Sequence, residues 1–215
     1  MGRITKDPEE RKKELIDAAE RLFIAVGYDK TAISDIVREV NVSQGAFYYY
    51  FDSKEDVLMA VMEKEIAVME ADFIRIAEEA DLDEAVKLNS MINCFIRLTD
   101  SGRKILSYIH EVKNKEMREK LRRTRPFSRI APVMADVISQ GIKKGRFRVN
   151  HPMETSYLLL MLLGPVLHAF YRPLTPGESK EKNPDDGFRE NMRSALEDLL
   201  ERMLGVSDYR FILPL

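Results

Sequence analysis

The sequence predicts an all-α protein of about nine helices, with a helix-turn-helix domain over residues 1–53 and a larger helical domain over 54–215. Three observations carry that prediction. Apolar residues recur at helical spacing in almost every segment, and short breaks holding Asn, Ser, Asp, Gly or Pro separate these segments. No stretch keeps the alternation of a strand, apart from an extended "GRFRV" at 145–149.

The elements follow in order. Asp7 is placed to cap the first helix, Pro8 suits its first position, and Glu10 gives capping-box spacing. Leu15, Ile16, Ala19, Leu22, Phe23 and Val26 then form one apolar stripe, which Gly27 ends with a left-handed residue. Thr31 is expected to cap a short second helix with Ile33, Ile36, Val37 and Val40 on one face. Asn41 stands where a tight turn asks for a positive φ, which Asn tolerates. Ser43 caps a third helix of about two turns, with Val42 and Phe47 spaced as a hydrophobic staple. Asp52 breaks the chain again, and Ser53 caps a long fourth helix that runs to about residue 80. Further helices fall at roughly 83–99, 102–122, 126–144, 152–171 and 187–203, and the Pro-, Gly- and charge-rich stretch 172–187 reads as a loop.

Composition narrows the function classes. Among 215 residues there is one cysteine, Cys94, so no intrachain disulfide framework is available. The first residues lack a secretory signal, and the longest apolar run, 158–167, is too short to span a bilayer, so a cytoplasmic protein without membrane attachment is expected. With three histidines and one cysteine, the sequence offers no metal-spaced set, no glycine-rich phosphate loop and no nucleophile grouping. No enzyme, metal or cofactor is expected. The 34 basic and 36 acidic residues leave a net charge of −2, and residues 1–55 hold 9 basic and 11 acidic groups. Any nucleic-acid surface there must come from placement of charge and not from its excess.

The stretch "VSQGAFYYYFDSKE", 42–55, is the informative one. Phe47, Tyr50 and Phe51 lie at i, i+3 and i+4, so the two phenylalanines share a buried face with Tyr50 at its border. Tyr48 and Tyr49 point elsewhere, and two large rings exposed on a short helix mark a binding surface. Two short helices joined by a tight turn, the second opened by Ser43-Gln44-Gly45, form a helix-turn-helix pattern. An all-α adaptor or assembly protein without DNA binding is the competing reading. It accounts for the helices but not for Ser43-Gln44-Gly45 followed by two outward tyrosines.

Residues 11–55 resemble the DNA-binding domain of the TetR family of transcriptional regulators. The resemblance rests on "LIDAAERLFIAVGYDKT", 15–31, followed by "VSQGAFYYYFDSKE". Ala32 departs from a second hydroxyl common in the family, Val40-Asn41 from a small residue and glycine, and Val37 from an alanine. The resemblance implies a third helix in the major groove of double-stranded DNA, with Thr31, Ser43, Gln44, Gly45, Tyr48, Tyr49, Tyr50 and Lys54 as contacts. Gln44 can pair with an adenine edge, Gly45 lets the backbone approach, and Ser43, Thr31 and Lys54 near helix N-termini favour phosphates. Arg3, Lys6 and the basic residues at 11–13 read either as a basic arm beside them or as a solvated helix end interleaved with Glu9, Glu10 and Glu14.

The resemblance also implies a palindromic operator, a homodimer formed through the last two long helices, and a small-molecule effector that releases DNA from a repressor. Pocket candidates are Asn93, Cys94, Arg97, Tyr108, His110, Met134, Ile138, Tyr157, Met161 and His168. The basic run 113–129 reads either as a solvated helix end and loop or as a site for an anion.

Overall fold

A computed structural model describes residues 7–100, 126–171 and 186–214, with side chains described for 7–96, 127–163 and 187–214. Among the described residues there are eight α-helices and no strand: α1 (Pro8–Val26), α2 (Ile33–Val40), α3 (Gln44–Tyr50), α4 (Lys54–Glu78), α5 (Glu84–Asp100), α6 (Ile130–Lys143), α7 (Pro152–Tyr171) and α8 (Asp186–Leu204). A 3₁₀ turn, Pro126–Ser128, precedes α6. The predicted helix over 102–122 and the loop over 172–185 lie outside the described residues. The "GRFRV" stretch makes no strand: it opens in a turn, with Gly145 at φ 76° and Arg146 N–H donating to the Gly141 carbonyl at 2.8 Å, and further on Arg148 N–H donates to the Leu204 carbonyl at 2.8 Å. Among the described residues no helix is long and apolar enough to cross a membrane.

The described residues divide into two compact units, 7–65 and 66–100 with 126–171 and 186–214. In the first, α1 packs on α2 and α2 on α3. Its core is Leu15, Ala18, Ala19, Phe23, Ile36, Val37, Phe47 and Phe51, joined by Val57, Leu58, Val61 and Met62 from α4. The first turns of α4 therefore share this core, because their apolar face would otherwise meet water. Lys64 donates to Asp17 at 2.5 Å and Glu20 at 2.6 Å. Burial alone would lower its pKa, but the two carboxylates outweigh it and raise it.

Helix ends follow local chemistry. Asp7 caps α1, its carboxylate accepting from Glu9 N–H at 2.8 Å. Gly27 ends α1 at φ 95° and ψ 151°, a region open to glycine alone and different from the left-handed helical one expected. Val26 is exposed instead of completing the stripe.

The second unit gathers α5, α6 and α7 against one another, with α8 against α7. Its buried side chains include Phe73 of α4, Leu88, Met91, Ile92 and Ile96 of α5, Met134 and Ile138 of α6, Leu159, Leu160 and Leu163 of α7, and Leu196, Leu200 and Leu204 of α8. Gly141 leaves room for the Phe147 ring, which a Cβ would meet at 2.2 Å. After α8 the chain continues as an extended segment with Phe211 and Leu213 buried. Its backbone is held by side chains: Ile212 N–H donates to Asn89 at 3.1 Å and Leu213 N–H to Glu197 at 2.9 Å.

An ion-pair cluster closes the foot of this unit. Arg146 bonds Asp83 at 2.6 Å and also Asp208, and Lys144 pairs with the buried Glu84. Burial pushes the Asp83 carboxyl up, but the Arg146 guanidinium and the Ala85 N–H outweigh it and hold its pKa below the ordinary value. A lowered folded-state pKa adds stability above the unfolded value of about 3.9, and that stability is lost as pH falls through the folded value. Asp83→Asn is therefore expected to lower the melting midpoint near neutral pH, with the gap to wild type closing below about pH 4. Melting curves across that range check it; a gap that stays constant on acidification would contradict it.

Candidate nucleic-acid interface

The interface is built on a turn and a cap. Asn41 adopts φ 56° and ψ 50°, and it alone among the described non-glycine residues has a positive φ. This left-handed turn brings Ser43 to the N-terminus of α3, where its hydroxyl accepts from Ala46 N–H at 3.3 Å. Val42 packs against the core beside Phe47, as the staple spacing predicts.

The helix then sorts its rings by angle. Phe47 is fully buried, and Phe51, just past the helix end, packs with its ring 5.6 Å from it. Tyr50 is half-buried at the core edge. Tyr48 and Tyr49 face solvent with 54% and 76% of their surface exposed. Tyr48 stands edge-on to Phe47 at 5.5 Å, and Tyr49 edge-on to Tyr50 at 4.8 Å, so buried or half-buried rings steady the exposed ones. Ser43, Gln44 and Gly45 are exposed on the same helix.

Gly45 carries further information. A Cβ there would meet only the Ser43 hydroxyl, at 3.7 Å, an ordinary contact. Nothing in the fold requires glycine at a helical position, where it costs about 1 kcal/mol relative to alanine. Something outside the chain that must come close to the backbone explains it better.

Two expected contacts are placed differently. Thr31 does not cap α2; Ala32 holds that position, and Asp35 accepts from its N–H at 3.0 Å. Thr31 is 2% exposed and its hydroxyl donates to the Gly27 carbonyl at 2.8 Å, because the loop turns it inward to satisfy that carbonyl. Lys54 is also engaged, donating to the carbonyls of Tyr28 and Thr31. The structure thus exposes Ser43, Gln44, Gly45, Tyr48 and Tyr49 on α3, with Tyr50 half-buried at the core edge, while Thr31 is buried and Lys54 is half-buried and bonded to the loop 28–31.

Residues 15–61 match the family described as "Bacterial regulatory proteins, tetR family", and residues 97–171 match "Tetracyclin repressor-like, C-terminal domain", together 122 of the 215 residues. The chain belongs to the TetR family of transcriptional regulators. It is 24% identical to the HTH-type transcriptional repressor KstR2 of Rhodococcus jostii (strain RHA1) over 76% of this chain and 80% of that one. Other curated regulators are matched more strongly over shorter stretches, and the chain spans 42%, 21% and 18% of the length of three of them. A TetR-family regulator from Pectobacterium atrosepticum shares the fold with a TM-score of 0.67 at 20% identity, covering 94% of this chain and 98% of its own. AibR in complex with isovaleryl coenzyme A and operator DNA shares it with a TM-score of 0.56 at 16% identity, covering 92% and 100%.

The TetR-family effector candidates are scattered. Met134 and Ile138 are fully buried on α6, and Asn93 and Cys94 are half-buried on α5. Tyr157 is half-buried on α7, but Met161 is 59% exposed and turns away from the interior. The side chains of Arg97, Tyr108, His110 and His168 lie outside the described residues, as does most of the basic run 113–129. Arg129 at its end pairs with Glu70. A groove of about 300 Å³ between α1 and α2 is lined by Arg11, Glu14, Asp17, Arg21, Glu39 and Val40. Its charges are already paired, Arg11 with Glu14 and Arg21 with Glu39, so it offers little to a ligand. Among the described residues no group of three or more His, Cys, Asp or Glu could hold a metal.

Proposed function

We propose that this TetR-family chain is a ligand-responsive repressor that binds a palindromic operator in double-stranded DNA as a homodimer and is released by a small molecule. Residues 1–53 form its DNA-binding domain and 54–215 its effector and dimer domain. The observation that carries this reading is the single exposed face of α3, Gln44 and Gly45 with Tyr48 and Tyr49, on a helix whose other face is locked into a core. Gln44 supplies paired hydrogen bonds to an adenine edge, the tyrosine rings pack on thymine methyls or sugars, and Ser43 and the tyrosine hydroxyls reach phosphates.

One two-turn helix reads only a few base pairs, so specificity requires two copies on a two-fold site. The last two long helices support the dimer, since Met153, Leu158 and Met161 of α7 and Phe188 and Leu199 of α8 are large, apolar and exposed. The repressor sign follows KstR2, which is named a repressor. AibR, seen with an acyl coenzyme A and its operator, supports an effector for this chain without fixing its class.

Selecting bound sequences from random DNA tests the reading. The full-length protein is expected to enrich a palindrome, and Gln44→Ala and Tyr48→Ala to relax or lose it. On that duplex, log affinity should fall with log salt at a slope reflecting about four to eight phosphates per dimer. No enriched palindrome, or a slope near zero, would sink the proposal.

A further inference from the structure

Lys54 opens α4 shortly after the recognition helix, and the resemblance gives it to a DNA phosphate. Its ammonium is committed elsewhere. Nζ donates to the Tyr28 carbonyl at 2.8 Å and to the Thr31 carbonyl at 2.9 Å, and it lies 4.2 Å from the centre of the Tyr28 ring. Two of its three N–H donors are engaged and an aromatic face covers a further side. A phosphate could be met only through the third N–H, with the ammonium already fixed in place by the other two bonds and the ring.

The loop that Lys54 grips has few other ties. It leaves α1 at Gly27, whose N–H donates to the Phe23 carbonyl at 3.1 Å, and within it Thr31 N–H donates to the Tyr28 carbonyl at 3.2 Å and the Thr31 hydroxyl to the Gly27 carbonyl at 2.8 Å. The Tyr28 ring meets Phe23 edge-on at 5.2 Å. Burial, and then the Glu55 carboxylate next to Lys54, push the Tyr28 phenol well above its ordinary pKa, so the ring stays neutral beneath the ammonium. This loop sets where α2 begins, and α2 carries α3 through a turn of only three residues, 41–43.

We propose that Lys54 is a positioning residue for operator reading and not a phosphate contact: it ties the first turn of α4 to the loop 28–31 and holds α2, and through it α3, at the reading angle. The inference rests on the DNA-binding reading above.

Lys54→Met in the full chain removes the charge and keeps an apolar stem. Without DNA, amide exchange over residues 27–36 should speed up, while residues 130–143 keep wild-type protection. On the palindromic duplex enriched by the wild type, affinity should fall about tenfold at fixed salt, with the salt slope unchanged. A phosphate contact would instead reduce the slope by about two per dimer, and that result overturns the proposal.

Tyr28→Leu supplies the second variant, which decides the matter if Lys54→Met melts the unit. It removes the ring but leaves the lysine charge in place. Faster exchange over 27–36 and weaker binding at the wild-type slope support the clamp; unchanged exchange and affinity overturn it. The losses of the two variants should be strongly non-additive when combined, whereas additive losses count against the clamp. A wild type that enriches no duplex would sink the regulator reading, and the exchange measurement would still decide whether Lys54 holds the loop.

Discussion

Phe47→Ala is expected to destabilise the first unit by about 3–5 kcal/mol, the range for emptying a fully buried phenylalanine site. The ring is completely buried and touches Phe51 and Tyr48, and it is the one fully buried side chain of α3. A helix of seven residues has little stability of its own, so it holds its shape only while that anchor is seated. Such a loss is a large part of the stability of a small unit. Thermal or urea unfolding followed by circular dichroism measures it, and DNA binding should disappear with the fold. A loss below about 1 kcal/mol would mean that the helix is anchored by something else.

Tyr49→Ala should do the opposite. The side chain leaves the helix on the solvent side and contacts only the edge of Tyr50 among the described rings. Its removal is expected to change stability by no more than about 0.5 kcal/mol, as at an ordinary surface site. Affinity for the selected duplex is expected to fall about tenfold or more, since under the proposed reading each dimer would lose two rings set against the bases. Unfolding curves and binding titrations on the same samples separate the two effects. If Tyr49→Ala melts the unit as Phe47→Ala does, the face assigned to reading belongs to folding; if affinity is untouched, Tyr49 does not meet DNA.

What could be read from sequence was what local geometry decides. Ser43 as a cap, Asn41 at positive φ and the division of Phe47 and Phe51 from Tyr48 and Tyr49 depend on neighbours within about one helical turn. The helices themselves were legible for the same reason, since a 3.6-residue stripe is written in the chain. Thr31 was misplaced because either Thr31 or Ala32 could begin α2. Asp35 decided between them by accepting from the Ala32 N–H, and Thr31 then turned inward.

The bonds that Lys54 makes within the chain were illegible for a different reason. Its partners lie 26 and 23 residues earlier, and only the packing of α4 against the first core brings them together. Met161 shows the same limit: spacing puts it on a helix, but the neighbours in the bundle decide whether it faces in or out, and it faces out. The extended segment after α8 was missed as well. Its signal was the alternation at Phe211, Ile212 and Leu213, two apolar residues inward around one exposed, too short to register against a chain of helices.

The recognition helix Gln44–Tyr50 contains no charged side chain, in a chain whose net charge is −2. Attachment to bulk chromosome depends almost wholly on phosphates neutralised by lysine and arginine. With neither lysine nor arginine on α3, whatever neutralises phosphates must come from residues outside that helix, so base reading and backbone attachment fall to different elements and can be altered separately.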